Sequence, residues 1–185
     1  VSVNQEVVHG IPDKHRIVQE GDIVSLDAGV IYKGYHSDAA RTHAVGEASE
    51  EAKKLIQVTK ECFFEGIKFA KAGNHLFDIS GAIGRYAEER GYGVVRDLCG
   101  HGIGTALHEA PEIPNYEVGR KGVRLRPGMT LAIEPMINIG TYEVDWLDDD
   151  WTVVTRDGSL SAHYENTILI TEGEPRILSL TCDNE

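Results

Sequence analysis

Basic residues are scarce in this 185-residue chain: 18 Lys and Arg stand against 30 Asp and Glu, a formal net charge of −12. That deficit argues against a nucleic-acid or anionic-membrane partner, whose phosphates such a field repels. Cysteine is nearly absent too. Cys62, Cys99 and Cys182 share no CxxC spacing, which excludes zinc fingers and thiolate metal sites and fits free thiols in a reducing compartment. No apolar run is long enough to span a membrane, and no signal-peptide pattern is present. The expected location is therefore the cytoplasm. Low-complexity segments, short-period repeats and interior linkers are missing as well, so residues 1–185 read as a single domain. An initiator methionine is also lacking. The chain opens at Val1 directly on a strand-like alternation, "VSVNQEVVHGIP", which leads us to expect a further N-terminal portion upstream.

What is present describes a globular protein able to bury a core, with 41% hydrophobic and 26% charged residues. Residues 22–46 read as a hairpin around Lys33-Gly34. Residues 49–72 read as an amphipathic helix capped by Ser49, with Leu55, Val58, Cys62 and Phe69 on one stripe and Gly73 stopping it. A second helix is expected from about Asp78 to Arg90, with Ile79, Ala82, Ile83 and Tyr86 inward. Strands are expected at 92–99, 105–109, 129–139, 150–155 and 160–171, separated by turns such as "RPGMT" and "TRDGSLS". The sum is an α+β fold with a mainly antiparallel sheet.

Several acids sit where they can meet. With Lys33 and Gly34 as the turn, Gly29 faces Asp38, and Asp27 lies two residues along on the same face. Diagonal neighbours of this kind are about 7–8 Å apart, so their carboxylates can reach a common point. Converging like charges are unfavourable unless something positive lies between them. The alternative is that one or both aspartates face water, and the hairpin alone leaves that open. Glu134 in "LAIEPMINIG" and Glu165 in "SAHYENTILI" are lone acids inside apolar strands. Each needs a partner if buried, either a shared cation or a nearby arginine, or else it lies on the solvent face. Pro135 ends ladder pairing beside Glu134, which suits a site at a strand end.

The stretch "CGHGIGTALHEAPEI", residues 99–113, adds His101 and His108. Two Asp, two Glu and one His make an oxygen-rich set suited to Mn²⁺, Fe²⁺, Co²⁺ or Zn²⁺. Four carboxylates exceed what one catalytic ion with an open position uses. They suit two ions about 3.5–4 Å apart, the arrangement of metal-assisted hydrolysis. His108 is then free to be a hydrogen-bond donor to an oxyanion, an acid–base group, or a satisfied loop histidine. His9 in "VVHGIP" raises the same choice, whereas His15, His36, His43, His75 and His163 receive no role.

These motifs coincide with a family. The chain resembles the type I methionine aminopeptidases in "NQEVVHGIP", "GDIVSLDAGVIYKGYHSDAARTHAVG", "CGHGIGTALHEAP", "RPGMTLAIEPMIN" and "DDWTVVTRDGSLSAHYENTILIT", in that order and to about residue 171. The resemblance implies the pita-bread, creatinase/aminopeptidase-like fold: a curved, mainly antiparallel sheet with helices on its outer face, here without the N-terminal part of the first half. It implies removal of the initiator methionine from nascent polypeptides with two divalent ions, cobalt, manganese, iron or zinc, by a cytoplasmic protein that is a monomer when full length. Carried over by motif, Asp27, Asp38, His101, Glu134 and Glu165 are the metal ligands. Asp38 and Glu165 bridge, Asp27 completes one site, and His101 with Glu134 completes the other. Glu134 would also take the proton of the attacking water, His108 would steady the oxyanion, and His9 would contact the substrate amide. Trp151 would wall the methionine pocket, and the glycines around His101 would let backbone pass close to the ions.

Two departures stand beside it. Family members carry an upstream segment that supplies a helix pair, part of the sheet and side chains of the methionine pocket. Asn166 also occupies a position where a histidine commonly follows the ligand glutamate, which is expected to loosen support for Glu165 and tune activity. The rival readings are an Xaa-Pro dipeptidase or aminopeptidase of the same fold, and a truncated, catalytically impaired module that binds proteins. A binuclear phosphoesterase would want basic residues around the site, and "CGHGIGTALHEAP" holds none.

Overall fold

A computed structural model of the chain describes residues 1–180, so Cys182 lies outside the described residues. The first half runs β1 (Ser2–Val3), β2 (Glu6–Val8), β3 (Ile23–Tyr32), β4 (Tyr35–Ala44), α1 (Glu50–Ile67) and α2 (Leu76–Glu88). Short strands follow: β5 (Gly93–Val94), β6 (Gly100–Gly102), β7 (Glu109–Ile113), β8 (Thr130–Ile133), β9 (Met136–Asn138) and β10 (Val144–Trp146). The chain closes with β11 (Val153–Thr155), β12 (Ser161–His163), β13 (Glu165–Leu169) and β14 (Arg176–Ile177). The main sheet has the order β1-β3-β4-β13-β8-β6-β7, with β14 on β13; β10-β11-β2 and β12-β9-β5 form two smaller sheets. Every strand pairing among the described residues is antiparallel. The α+β reading holds.

The hairpin follows its sequence. Tyr32 pairs with Tyr35 and Gly29 with Asp38, because Lys33 (φ 51°) and Gly34 (φ 83°) adopt the left-handed backbone that a two-residue hairpin turn requires. Helix α1 is capped as expected, the Ser49 side chain accepting from the Ala52 amide. It ends at Ile67 rather than near 72, because tighter turns take over: the Phe69 and Ala70 amides donate to Gly66 and Ile67. Phe69 consequently lies beyond the buried stripe and is exposed. Strand signals at 105–109 give way to a turn in which Glu109 Oε1 accepts from the Ala106 amide, and the strand starts at Glu109. The run 129–139 breaks at Glu134-Pro135, where proline has no amide to donate, and 160–171 breaks at Tyr164. Strands β6, β10 and β14 are additions that the sequence did not suggest, and the run 92–99 shortens to Gly93–Val94.

One face of the main sheet joins the helices. Leu131, Ile133 and Ile168 share a core with Leu55 and Phe63 of α1 and with Ile79 and Ile83 of α2. Each fully buried side chain of this size contributes about 1.5–3 kcal/mol. Alternation then sends Ala132, Glu165 and Thr167 to the opposite face. That face carries the site.

Candidate metal centre

Strand register brings the predicted residues together. Asp27 and Glu165 both pair with Ala40, so they flank it on the same face of three adjacent strands. Asp38 lies two residues from Ala40 on that face. Further across, His101 pairs with Ala132, which in turn pairs with Thr167. Glu134, two residues past Ala132, follows the end of β8. Five residues from distant parts of the chain thus converge because β13 inserts between β4 and β8. They line one cavity of about 760 Å³, together with His9 and His108.

Single ligand atoms of Asp38, His101 and Glu165 lie within 4.8 Å of one another. His101 Nε2 stands 3.5 Å from Glu134 Oε1. The backbone of Asp38 is fixed by Thr167, whose hydroxyl accepts from its amide at 2.8 Å and donates to its carbonyl at 3.0 Å. Asn115 Nδ2 donates to the Glu134 carbonyl at 3.1 Å. Neither Thr167 nor Asn115 carries a signal in the sequence that marks it for this duty.

The electrostatics are lopsided. Burial first, then the charges of Asp27 and Asp38, raises the pKa of Glu134 well above its ordinary value. Burial and then the Glu134 charge do the same to Glu165. Asp38 is raised by burial and by Asp27. Asp27 as a residue is exposed, yet its carboxyl faces enough protein that desolvation is the largest cause raising its pKa. No lysine or arginine pairs with any of these four acids among the described residues. The arginine-partner alternative therefore fails for Glu134 and Glu165.

Histidine does not fill the gap. Burial lowers the pKa of His101, and its Nδ1 donates to the Gly102 carbonyl at 2.9 Å. That tautomer leaves an Nε2 lone pair facing carboxylates. Acceptors aimed at acceptors in a buried site call for cations between them, and nitrogen plus carboxylate oxygen is the donor set of a divalent first-row ion. Glu165, 2% exposed, also has a buried Oε1 with no hydrogen-bond partner. The residues present fit such a metal.

Around this centre, the His108 ring lies edge-on to His101 with centroids 4.4 Å apart. His9 stacks on Trp151 at 4.8 Å, and the φ of 62° at His9 turns its side chain out of the strand. Trp151 itself is exposed and supports His9 from outside the cavity lining. The apolar wall comes instead from Val8, Phe77, Leu98 and Met136. The glycines beside His101 have a different reason from the one expected. A Cβ on Gly100 would meet the Ala132 carbonyl oxygen and one on Gly102 would meet that of Ala110, so they permit strand-to-strand approach. Asn166 points away from Glu165. Its Oδ1 accepts from Arg41 Nη2 at 2.6 Å and from Ser179 Oγ at 3.0 Å, so it acts on the helix-facing side.

Known proteins share this fold. The model of metallopeptidase family M24 matches residues 1–172. A methionine aminopeptidase of Clostridium acetobutylicum is 60% identical over 97% of this chain and 72% of its own length. One from Bacillus subtilis is 52% identical over 93% of this chain and 69% of its own length. Among solved structures, a methionine aminopeptidase of Thermotoga maritima superposes with a TM-score of 0.95 at 51% identity, covering 97% of this chain and 72% of that one. A prolidase of Pyrococcus furiosus superposes at 0.74 and 27% identity, covering 97% and 48%.

Proposed function

We propose, from the premise that this chain belongs to metallopeptidase family M24 and has its pita-bread fold, that it is a metal-dependent aminopeptidase releasing N-terminal methionine. The observation that carries the metal half of this reading is the neutral His101 Nε2 and four carboxylates converging without a protein cation. Asp27, Asp38, His101, Glu134 and Glu165 would hold two divalent ions, with Asp38 and Glu165 shared. When bound, such ions polarise the first peptide carbonyl and lower the pKa of the attacking water. Their identity is open among manganese, iron, cobalt and zinc.

The chain's own residues supply the rest. Glu134 lines the cavity beside His101 and is placed to take the proton released as water attacks. His108, edge-on to the His101 ring, donates a hydrogen bond to the oxyanion that develops on the carbonyl. His9 contacts the substrate amide, its ring held flat by Trp151. The apolar wall of Val8, Phe77, Leu98 and Met136 accepts an unbranched apolar side chain such as that of methionine. The substrate would be a nascent polypeptide in the cytoplasm, and no helix among the described residues is long and apolar enough to cross a membrane.

A paired digest tests the assignment. With Mn²⁺ present, free methionine is expected from Met-Ala-Ser, and no cleavage of an Ala-Pro peptide. Cleavage before proline without methionine release would transfer the chain to the prolidase-like activity. Metal binding with turnover of neither peptide would favour the impaired module.

A further inference from the structure

One buried side chain at this centre has no part in the chemistry above. His163 ends β12, two residues before Glu165, and is 1% exposed. Its backbone is pinned on both sides by Thr42: the His163 amide donates to Thr42 Oγ1 at 2.8 Å, and the His163 carbonyl accepts from the same hydroxyl at 2.9 Å. Its imidazole, by contrast, has no hydrogen-bond partner at either nitrogen. A fully buried ring with both nitrogens orphaned is rare unless it serves something beside it.

What lies beside it is the ligand set. Nε2 is 3.9 Å from Glu134 Oε2 and 4.0 Å from Glu165 Oε2. Both gaps exceed hydrogen-bond length by about 1 Å. Both also fall short of the roughly 4.5 Å that a bridging water spans with two bonds of ordinary length. Only a direct bond, reached by a small carboxylate rotation, can satisfy Nε2. Glu134 is the better partner because its two oxygens are already divided: Oε1 faces His101 Nε2 at 3.5 Å and Oε2 faces His163.

We propose that His163 is a positioning residue for the metal centre, its Nε2–H donating to Glu134 Oε2 and so holding the other carboxylate oxygen turned toward the cation beside His101. This rests on Glu134 being a metal ligand. An outer-sphere hydrogen bond of this kind is worth about 10- to 100-fold in metal affinity. It also fixes the orientation of the group that takes the proton.

The geometry dictates the test. A glutamine amide nitrogen reaches the place of Nε2, whereas that of asparagine reaches only the place of Nδ1. Mn²⁺ affinity is measured by calorimetry on the metal-free protein for His163→Gln, His163→Asn and His163→Leu, with circular dichroism to confirm folding. The Gln variant is expected within about 3-fold of the unsubstituted protein, and the Asn and Leu variants about 10-fold or more weaker. Unchanged affinity in the Leu variant would overturn the proposal. Equal weakening in all three variants would also overturn it, since that pattern means lost packing or direct ligation. Should the Leu variant fail to fold, the Gln–Asn pair decides alone. Absence of Mn²⁺ binding to the unsubstituted protein would instead sink the ligand assignment, and this proposal with it.

Discussion

Glu134→Gln is expected to lower kcat on Met-Ala-Ser by about a thousandfold, within the range for a positioned proton acceptor, while raising the thermal stability of the metal-free protein. The two effects go in opposite directions for one reason. Glutamine keeps the volume of the side chain and removes one of four carboxylates that have no lysine or arginine partner. In the metal-free protein each of those charges is a liability, as the raised pKa of Glu134 from burial and from Asp27 and Asp38 shows. In the working enzyme the same charge holds an ion and accepts a proton. Kinetics at saturating Mn²⁺ and thermal unfolding in chelator read the two effects separately. A variant less stable without metal would mean that Glu134 serves the fold.

Removing the metal is the second large perturbation. A chelator is expected to abolish methionine release, and added Mn²⁺ or Co²⁺ to restore it. Ion at about a hundred times its dissociation constant stabilises the fold by about 2.7 kcal/mol, or roughly 5–10 °C in Tm for a domain of this size. The pH dependence should change as well. Glu134 and Glu165 have folded pKa values raised by burial, so the folded state holds their protons after the unfolded state has released them. The favourable contribution is full below the unfolded value, about 4, and is lost as pH rises through the folded values. The histidines act oppositely over part of that range. Burial pushes His163 down to about 3 and also lowers His101 and His9. Their contribution grows as pH rises and is complete above the unfolded histidine value, about 6.5. The carboxylate part of metal-free stability therefore falls as pH rises above about 4, opposed by the histidine gain up to about 6.5. Saturating Mn²⁺ should flatten that fall. Thermal melts from about pH 4.5 to about 8.5 with and without Mn²⁺ check it, and parallel curves would contradict it.

Much of this site was legible because its shortest-range part is fixed by local chemistry. Once Lys33 and Gly34 are taken as a two-residue turn, the register of Asp27 and Asp38 follows from counting. Pro135 marked the strand end at Glu134. Pairing between distant strands was not legible. Nothing in "SAHYENTILI" says that β13 enters between β4 and β8, and without that insertion Glu165 is only an acid in an apolar run. His163 was passed over for the same reason, although its i, i+2 spacing from Glu165 was visible. Helix α1 ended early because the chain must turn for Gly73 to bond with Leu125, a contact between residues far apart in sequence. The role of the glycines was misread because whether backbone or ion lies opposite is a question of packing.

The most direct test is anomalous diffraction at the manganese edge from crystals grown with Mn²⁺. Two peaks in the cavity, flanked by Asp27, Asp38 and Glu165 and by Asp38, His101, Glu134 and Glu165, are the predicted result. A cavity without anomalous density at saturating Mn²⁺, its carboxylates sharing protons instead, would contradict it.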